Sequence, residues 1–147
     1  MIPPFDKEGY LPEGVHEADW DELVAALGFN TWRERLLEGL HAGLLALKAA
    51  GCSRAYVDGS FVTSKMIPGD YDVCYETAGM TRDRLDPTLQ RFDHQRAAQK
   101  AKFFGEFFPA RIPATLAPRP IYLEFFQQVK YQERKKGIVA LDLRRLT

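Results

Sequence analysis

Two predicted strands joined by a Gly-Ser loop restrict the fold of this chain more than any other feature of its sequence. The first predicted strand is Arg54–Asp58, Gly59-Ser60 follows it directly, and the second strand covers residues 70–76. Because side chains on a strand alternate between its two faces, Asp70 and Asp72 project from the same face. The sequence therefore predicts two neighbouring carboxylates on a strand that follows a glycine-containing turn.

The paired aspartates Asp70 and Asp72 are candidate metal ligands. Adjacent carboxylates repel each other, a divalent cation removes the repulsion, and hard oxygen ligands of this kind suit Mg²⁺. Aspartate is also disfavoured in strands, so two of them on either side of Tyr71 argue against a purely structural role. The alternative interpretation is an aspartate that opens a turn after Pro68-Gly69, followed by an exposed strand aspartate.

Gly59, Ser60 and Lys65 are candidate contacts for phosphate. Gly59 permits a tight turn and the close approach of a phosphate to the backbone, and the Ser60 hydroxyl adds a donor. Lys65 could supply a positive charge to the same phosphates. A phosphate site next to paired carboxylates is the equipment of metal-assisted phosphoryl or nucleotidyl transfer.

The spacing of these residues resembles the signature of the nucleotidyltransferase superfamily, which includes DNA polymerase beta. In that superfamily a Gly-Ser or Gly-Gly pair opens a helix, and a strand with an Asp-hydrophobic-Asp/Glu-hydrophobic pattern follows. Here the signature consists of Gly59-Ser60, nine further residues and Asp70-Tyr71-Asp72-Val73. Two other segments are similar to small bacterial and phage nucleotidyltransferase-like proteins of unassigned function, namely Pro3-Pro4-Phe5-Asp6 and Phe61-Val62-Thr63.

The resemblance implies a minimal nucleotidyltransferase-like domain that uses Mg²⁺ or Mn²⁺ to move a nucleoside monophosphate from a nucleoside triphosphate to an acceptor. Asp70 and Asp72 would hold the metal, and Gly59, Ser60 and Lys65 would bind the triphosphate. The acceptor stays open among a protein side chain, an RNA end and a small molecule. The alternative is a non-catalytic protein of the same fold that acts by protein contact, as in a toxin–antitoxin or phage-defence pair.

A third carboxylate usually completes this type of site, from a later strand that lies beside the first pair. We identify Glu124 as the candidate third metal ligand and catalytic residue, because it lies among apolar residues of a predicted strand, where an unpaired charge is costly. A salt bridge from Glu124 to a neighbour such as Lys136 is the alternative. Asp93 and Glu106 rank below Glu124 because they fall on or next to a predicted helix.

The remaining pattern predicts an α+β fold in one domain, residues 1–147, with a mixed sheet packed against helices. Residues 1–18 are predicted to form an extended N-terminal arm. A capping box, Thr31 with Glu34 three residues later, opens the strongest predicted helix. The predicted helices cover residues 20–27, 32–50 and 87–104, and the predicted strands cover residues 54–58, 70–76, 121–127 and 137–143.

Charge and composition narrow the partners of this chain. It has 20 basic and 20 acidic residues and a formal net charge of zero, so overall charge offers no argument for binding nucleic acid. No apolar run approaches membrane-spanning length, and no secretory leader pattern opens the sequence. We therefore expect a cytoplasmic protein without membrane contact, whose partners are a nucleoside triphosphate and either another protein or a second copy of the chain.

Overall fold

Helices and a five-stranded mixed sheet make up the fold, as the predicted α+β class requires. The computed structural model describes residues 1–115, 120–130 and 132–147. The elements in chain order are β1 (Val15–Ala18), α1 (Trp20–Leu27), α2 (Thr31–Ala49), β2 (Arg54–Asp58), β3 (Tyr71–Tyr75), α3 (Asp93–Phe103), β4 (Gly105–Pro109), α4 (Tyr122–Phe125) and β5 (Ile138–Asp142). Short 3-10 turns lie at Ser60–Val62, Arg82–Arg84, Pro87–Gln90 and Leu143–Arg145.

The strands follow the order β1-β5-β2-β3-β4 across the sheet. Strand β2 runs antiparallel to both of its neighbours, β5 and β3, whereas β1 pairs with β5 and β3 pairs with β4 in parallel. Strands β2, β3 and β4 therefore lie side by side in one half of the sheet. This arrangement brings three separate segments of the chain into register with one another.

The two faces of the sheet are covered differently. One face contributes to a large buried core that also contains the apolar side chains of α1 and α2. The other face carries a smaller buried cluster, which includes Tyr56, Cys74 and Phe108, and the apolar residues of α4 pack against it. Both cysteines of the chain, Cys52 and Cys74, are buried and free. The second face is therefore covered by much less protein than the first.

Two glycines let α2 pack closely against α3 and β4. A Cβ atom at Gly39 would lie 2.0 Å from the backbone oxygen of Phe103, and one at Gly43 would lie 2.3 Å from the ring of Phe107. Any larger residue at either position would push α2 outward, because backbone and packed rings cannot yield by that much. The placement of α3 next to the sheet therefore depends on these two glycines.

A fully buried arginine, Arg33, fastens α2 to the loop that follows the Gly-Ser pair. Its guanidinium donates five hydrogen bonds of 2.6–3.1 Å to the backbone carbonyls of Leu27, Phe61, Thr63 and Lys65. Burial lowers the pKa of Arg33 to about 10, so the side chain still carries its charge at neutral pH. The loop is therefore held by a charged group that has carbonyl oxygens as its polar partners.

Several predicted elements are confirmed, with small shifts of their ends. The predicted helix 20–27 and strand 54–58 have the observed bounds, and the predicted strands 70–76 and 137–143 each lose one residue at either end. The predicted capping box at Thr31 and Glu34 is wrong, because the preceding residue caps α2. The Asn30 side-chain oxygen accepts a 2.8 Å hydrogen bond from the backbone N–H of Arg33, so the helix begins one residue earlier than predicted.

Other predictions are wrong in whole or in part. The predicted strand 121–127 contains the short helix α4, and the predicted helix 87–104 is confirmed only over α3, which follows a 3-10 turn. Two strands were not predicted at all: β4, and β1 within the supposed N-terminal arm. Strand β1 pairs with β5, which is distant in sequence, and β4 pairs with β3 across an irregular segment of chain. The local sequence pattern therefore gives little indication of either strand. Within the described ranges, no helix combines the length and apolar composition that crossing a membrane requires.

Candidate metal centre

Three neighbouring strands each place a carboxylate in the same row of the sheet. Asp58 on β2 lies opposite Asp72 on β3, and Asp72 lies opposite Glu106 on β4. Residues paired in this way project from the same face. Asp70 lies two residues before Asp72, immediately ahead of β3. Carboxylate oxygens of Asp70, Asp72 and Glu106 all lie within 4.8 Å of one another, so these three residues could hold a metal ion.

Burial and mutual repulsion raise the pKa values of the clustered aspartates. Burial, followed by the charges on Asp70 and Glu106, raises the pKa of Asp72 to about 7, although Lys136 and Arg96 oppose the shift. Partial burial and the charge on Glu106 also raise the pKa of Asp70. The cluster therefore binds protons more readily than separate carboxylates do, and a divalent cation would relieve the same repulsion.

Asp58 is a buried carboxylate behind this cluster. Its side chain is fully buried, and neither of its oxygens has a hydrogen-bond partner among the described residues. Burial, and then the charge on Asp72, raises its pKa well above the usual range, whereas Lys136 acts in the opposite direction. Buried polar groups are almost always paired, so the unpartnered carboxylate of Asp58 is an unusual feature of this row of acidic residues. The donor set fits a hard divalent cation.

Two cations from α3 neutralise Glu106. Arg96 forms a close ion pair with the Glu106 carboxylate, and the Lys100 Nζ atom lies 3.1 Å from its Oε1 atom. Arg96 is the last of three successive residues with positive φ, at 61°, a conformation that costs roughly 1–2 kcal/mol per residue. A divalent cation at the cluster would therefore compete with these two side chains for the Glu106 carboxylate.

The structure brings Glu106, and not the predicted Glu124, to Asp70 and Asp72. Glu124 is exposed on α4, and no ion pair joins it to Lys136 in the part of the chain that the structure describes. Helical spacing turns Tyr122 and Phe126 toward the sheet, where Tyr122 stacks on Phe108 and the Phe126 ring contacts Phe108 at a tilt, and leaves the Glu124 carboxylate outside. The sequence feature that could have indicated Glu106 is a single charged residue beside two phenylalanines. That run is too short to be predicted as a strand.

The predicted phosphate-binding residues lie on the loop beside Asp72. Gly59 has a φ of 82°, and a Cβ atom there would lie 2.6 Å from the Asp72 Oδ2 atom, so only glycine fits at this position. Ser60 is half-buried and begins a 3-10 turn. Lys65 is exposed, and its backbone carbonyl is held by Arg33. The loop therefore contacts the carboxylate cluster through Gly59.

An α+β domain with a carboxylate cluster at the ends of three adjoining strands is the class of protein that the fold and the site define. The chain belongs to a family of unknown function, DUF6932, whose sequence profile matches residues 3–142. Comparison with curated proteins and with solved structures gave no match.

The raised pKa of Asp72 makes the stability of the metal-free protein depend on pH. The pKa of Asp72 is about 7 in the folded chain and about 4 in an unfolded one, so the folded state binds the proton more tightly. This contribution to stability is complete below pH 4 and is lost as pH rises through 7. We expect the free energy of unfolding in EDTA to fall by roughly 3 kcal/mol between pH 5 and pH 8.

Urea denaturation at the two pH values measures this loss. Asp72→Asn removes one titrating group and should reduce this fall in stability, whereas the raised pKa values of the buried Asp58 and the partly buried Asp70 preserve part of it. Stability that rises with pH in the wild-type protein would contradict the assigned repulsion.

Proposed function

We propose that this chain is a metal-dependent nucleotidyltransferase, which moves a nucleoside monophosphate from a nucleoside triphosphate to an acceptor. The observation that carries the proposal is the convergence of Asp70, Asp72 and Glu106 in front of the unpartnered carboxylate of Asp58. Three oxygen donors of this kind suit Mg²⁺ or Mn²⁺. The resemblance of the loop and of β3 to the nucleotidyltransferase signature supports the same function.

The residues of the site divide into metal-holding and phosphate-binding groups. Asp70, Asp72 and Glu106 would hold the divalent cation, which when bound neutralises charge on the phosphates and lowers the pKa of an acceptor hydroxyl. Gly59 lets the loop turn tightly against Asp72, and Ser60 can donate its hydroxyl hydrogen to a phosphate bound at the cluster.

Two lysines add positive charge around the site. Lys136 acts on both Asp58 and Asp72 through its charge, so an anionic substrate at the cluster would also experience it. Lys65 is exposed on the loop that follows Ser60, where its ammonium group is accessible to phosphates. Since the formal net charge of the chain is zero, this attraction is local and gives no general affinity for nucleic acid.

Two matched substitutions test the proposal. Glu106→Gln should weaken Mn²⁺ binding and reduce nucleotide transfer by about 100-fold or more, because it removes a ligand charge from the cluster. Glu124→Gln should leave both unchanged, because Glu124 lies on the exposed side of α4. Calorimetric titration with Mn²⁺ measures metal binding by both variants. Nucleotide transfer is measured with α-labelled ATP, GTP, CTP and UTP and with protein, RNA and small-molecule acceptors.

The opposite pattern, with loss of function in Glu124→Gln and none in Glu106→Gln, would overturn the assignment of the third ligand. If the wild-type protein binds Mn²⁺ but transfers label to no acceptor, the transferase proposal fails. In that case a non-catalytic role through protein contact, such as one half of a toxin–antitoxin or phage-defence pair, becomes the function to pursue by isolating a bound partner.

A further inference from the structure

A groove with a volume of about 280 Å³ opens beside Asp70, between α2 and α3. Trp32 and Arg35 line it from α2, Lys100 lines it from α3, and Phe104 and Gly69 complete its walls. A cavity of this size is at the lower end of the range for small-molecule sites. The groove therefore has room for one small ligand.

The walls of the groove combine aromatic rings with positive charge. Trp32 is 39% exposed, and its indole N–H donates a 2.6 Å hydrogen bond to the backbone carbonyl of Pro68, which fixes the position of the ring. The Arg35 guanidinium lies 5.5 Å from the centroid of the Phe104 ring and has no carboxylate partner among the described residues. The fixed Trp32 ring favours a planar aromatic ligand, and an arginine without a carboxylate partner favours an anionic group.

The groove is continuous with the carboxylate cluster. Asp70 lines the groove and is also a member of the cluster, and Lys100 both lines the groove and pairs with Glu106. The loop of Gly59 contacts the other end of the cluster, at Asp72. The groove therefore opens directly onto the carboxylate cluster at Asp70.

We propose that the groove binds the acceptor of the transfer reaction, and that this acceptor is a nucleoside monophosphate unit, either free or at the end of a strand. Its base would lie against Trp32 and Phe104, and its phosphate would contact Arg35 and Lys100. Rings with neighbouring cations are the combination that recognises a nucleotide. This inference rests on the proposed transferase function, because only a transferase needs an acceptor.

In phosphoryl transfer the attacking and leaving oxygens lie roughly in line on opposite sides of phosphorus. A hydroxyl of the acceptor in the groove forms the new P–O bond to the α-phosphorus. The bond from that phosphorus to pyrophosphate breaks, and the hydroxyl proton leaves to water. With the acceptor in the groove, this in-line geometry requires pyrophosphate to depart on the side away from the groove.

Tryptophan fluorescence in EDTA tests the groove without any metal. The chain has two tryptophans, so a Trp20→Phe background leaves Trp32 as the reporter. AMP, GMP, CMP or UMP should quench its fluorescence saturably, and the matching nucleoside without phosphate should bind about ten-fold more weakly. Arg35→Gln should weaken nucleotide binding about ten-fold, whereas Arg145→Gln, which lines a different cavity, should have no effect.

A steric variant strengthens the test. A Cβ atom at Gly69 would have no neighbouring atom within 4 Å, so Gly69→Phe can fill the groove without disturbing the fold, and Gly69→Ala is its small control. Gly69→Phe should abolish nucleotide binding and retain Mn²⁺ binding. Tighter binding of a short oligonucleotide than of a mononucleotide would identify the end of a strand as the acceptor, and equal or weaker binding would identify the free nucleotide.

The outcomes separate this inference from the proposed function. Absence of saturable quenching by every mononucleotide and oligonucleotide, or unchanged affinity in Arg35→Gln, overturns the groove assignment even if transfer to another acceptor is detected. Saturable binding that Gly69→Phe abolishes supports the groove as a nucleotide site, and it does so even if transfer fails and the transferase proposal is withdrawn.

Discussion

Replacement of both Asp70 and Asp72 by asparagine should abolish Mn²⁺ binding and make the metal-free protein more stable at pH 8. Two of the three converging carboxylates lose their charge, so a hard cation loses most of its ligand field. Burial and repulsion, which together raise the pKa of Asp72 to about 7, then no longer act on a charged side chain. We expect a gain of about 2–4 kcal/mol in the free energy of unfolding, because amides of the same shape replace buried like charges.

Calorimetry with Mn²⁺ and urea denaturation in EDTA measure the two effects. Asp83→Asn, at an exposed position in a 3-10 turn, is the matched control and should change neither quantity. Equal metal binding by the double variant and the wild-type protein would show that the cluster is not the metal site. A less stable double variant would show that these carboxylates serve the fold.

Replacement of Arg33 by leucine should destabilise the protein by about 3–5 kcal/mol. The substitution removes the five hydrogen bonds that the guanidinium donates and leaves buried carbonyl oxygens without donors. Arg35→Leu is the matched control, because Arg35 lies on the same helix and makes no hydrogen bond to the backbone among the described residues. We expect it to change stability by less than about 0.5 kcal/mol.

A different substitution, Arg33→Lys, should loosen the loop that carries the phosphate-binding residues. Amide hydrogen exchange of residues 60–65 should become faster in a lysine variant of Arg33, which keeps the charge but loses the fork of donors. Urea denaturation and hydrogen exchange check the two effects separately. Equal stability of Arg33→Leu and Arg35→Leu would refute the anchoring role of Arg33.

The sequence predicts structure correctly where the residues concerned follow a regular local pattern. The aspartates at 70 and 72 fall at the start of an apolar strand with a glycine turn before it, so their pairing on one face follows from the period of a strand. Helix α1 has its observed bounds because Asp19 accepts a hydrogen bond from the backbone N–H of Glu22 and Gly28 follows the last apolar residue.

The third ligand could not be predicted in the same way. Glu106 reaches Asp72 only because β4 pairs with β3 in parallel, and no local property of the run Gly105–Pro109 specifies that partner. Glu124 looked more suitable because a short apolar run does not distinguish a strand from a helix, and α4 is a helix. Nothing in the local sequence distinguishes Asp58. Its burial and its lack of hydrogen-bond partners among the described residues result from the pairing of β2 with a strand on each side.

The position of β5 has a consequence for how the domain assembles during translation. It lies between β1 and β2, although it follows every other strand in the sequence. Strands β2, β3 and β4 can bring the acidic row together while the ribosome is still making the chain, but both edges that β5 joins stay unpaired until it emerges. Unpaired edges invite pairing with other chains. We therefore expect nascent chains that stop before residue 138 to associate with one another or with chaperones, and chains that include β5 to fold.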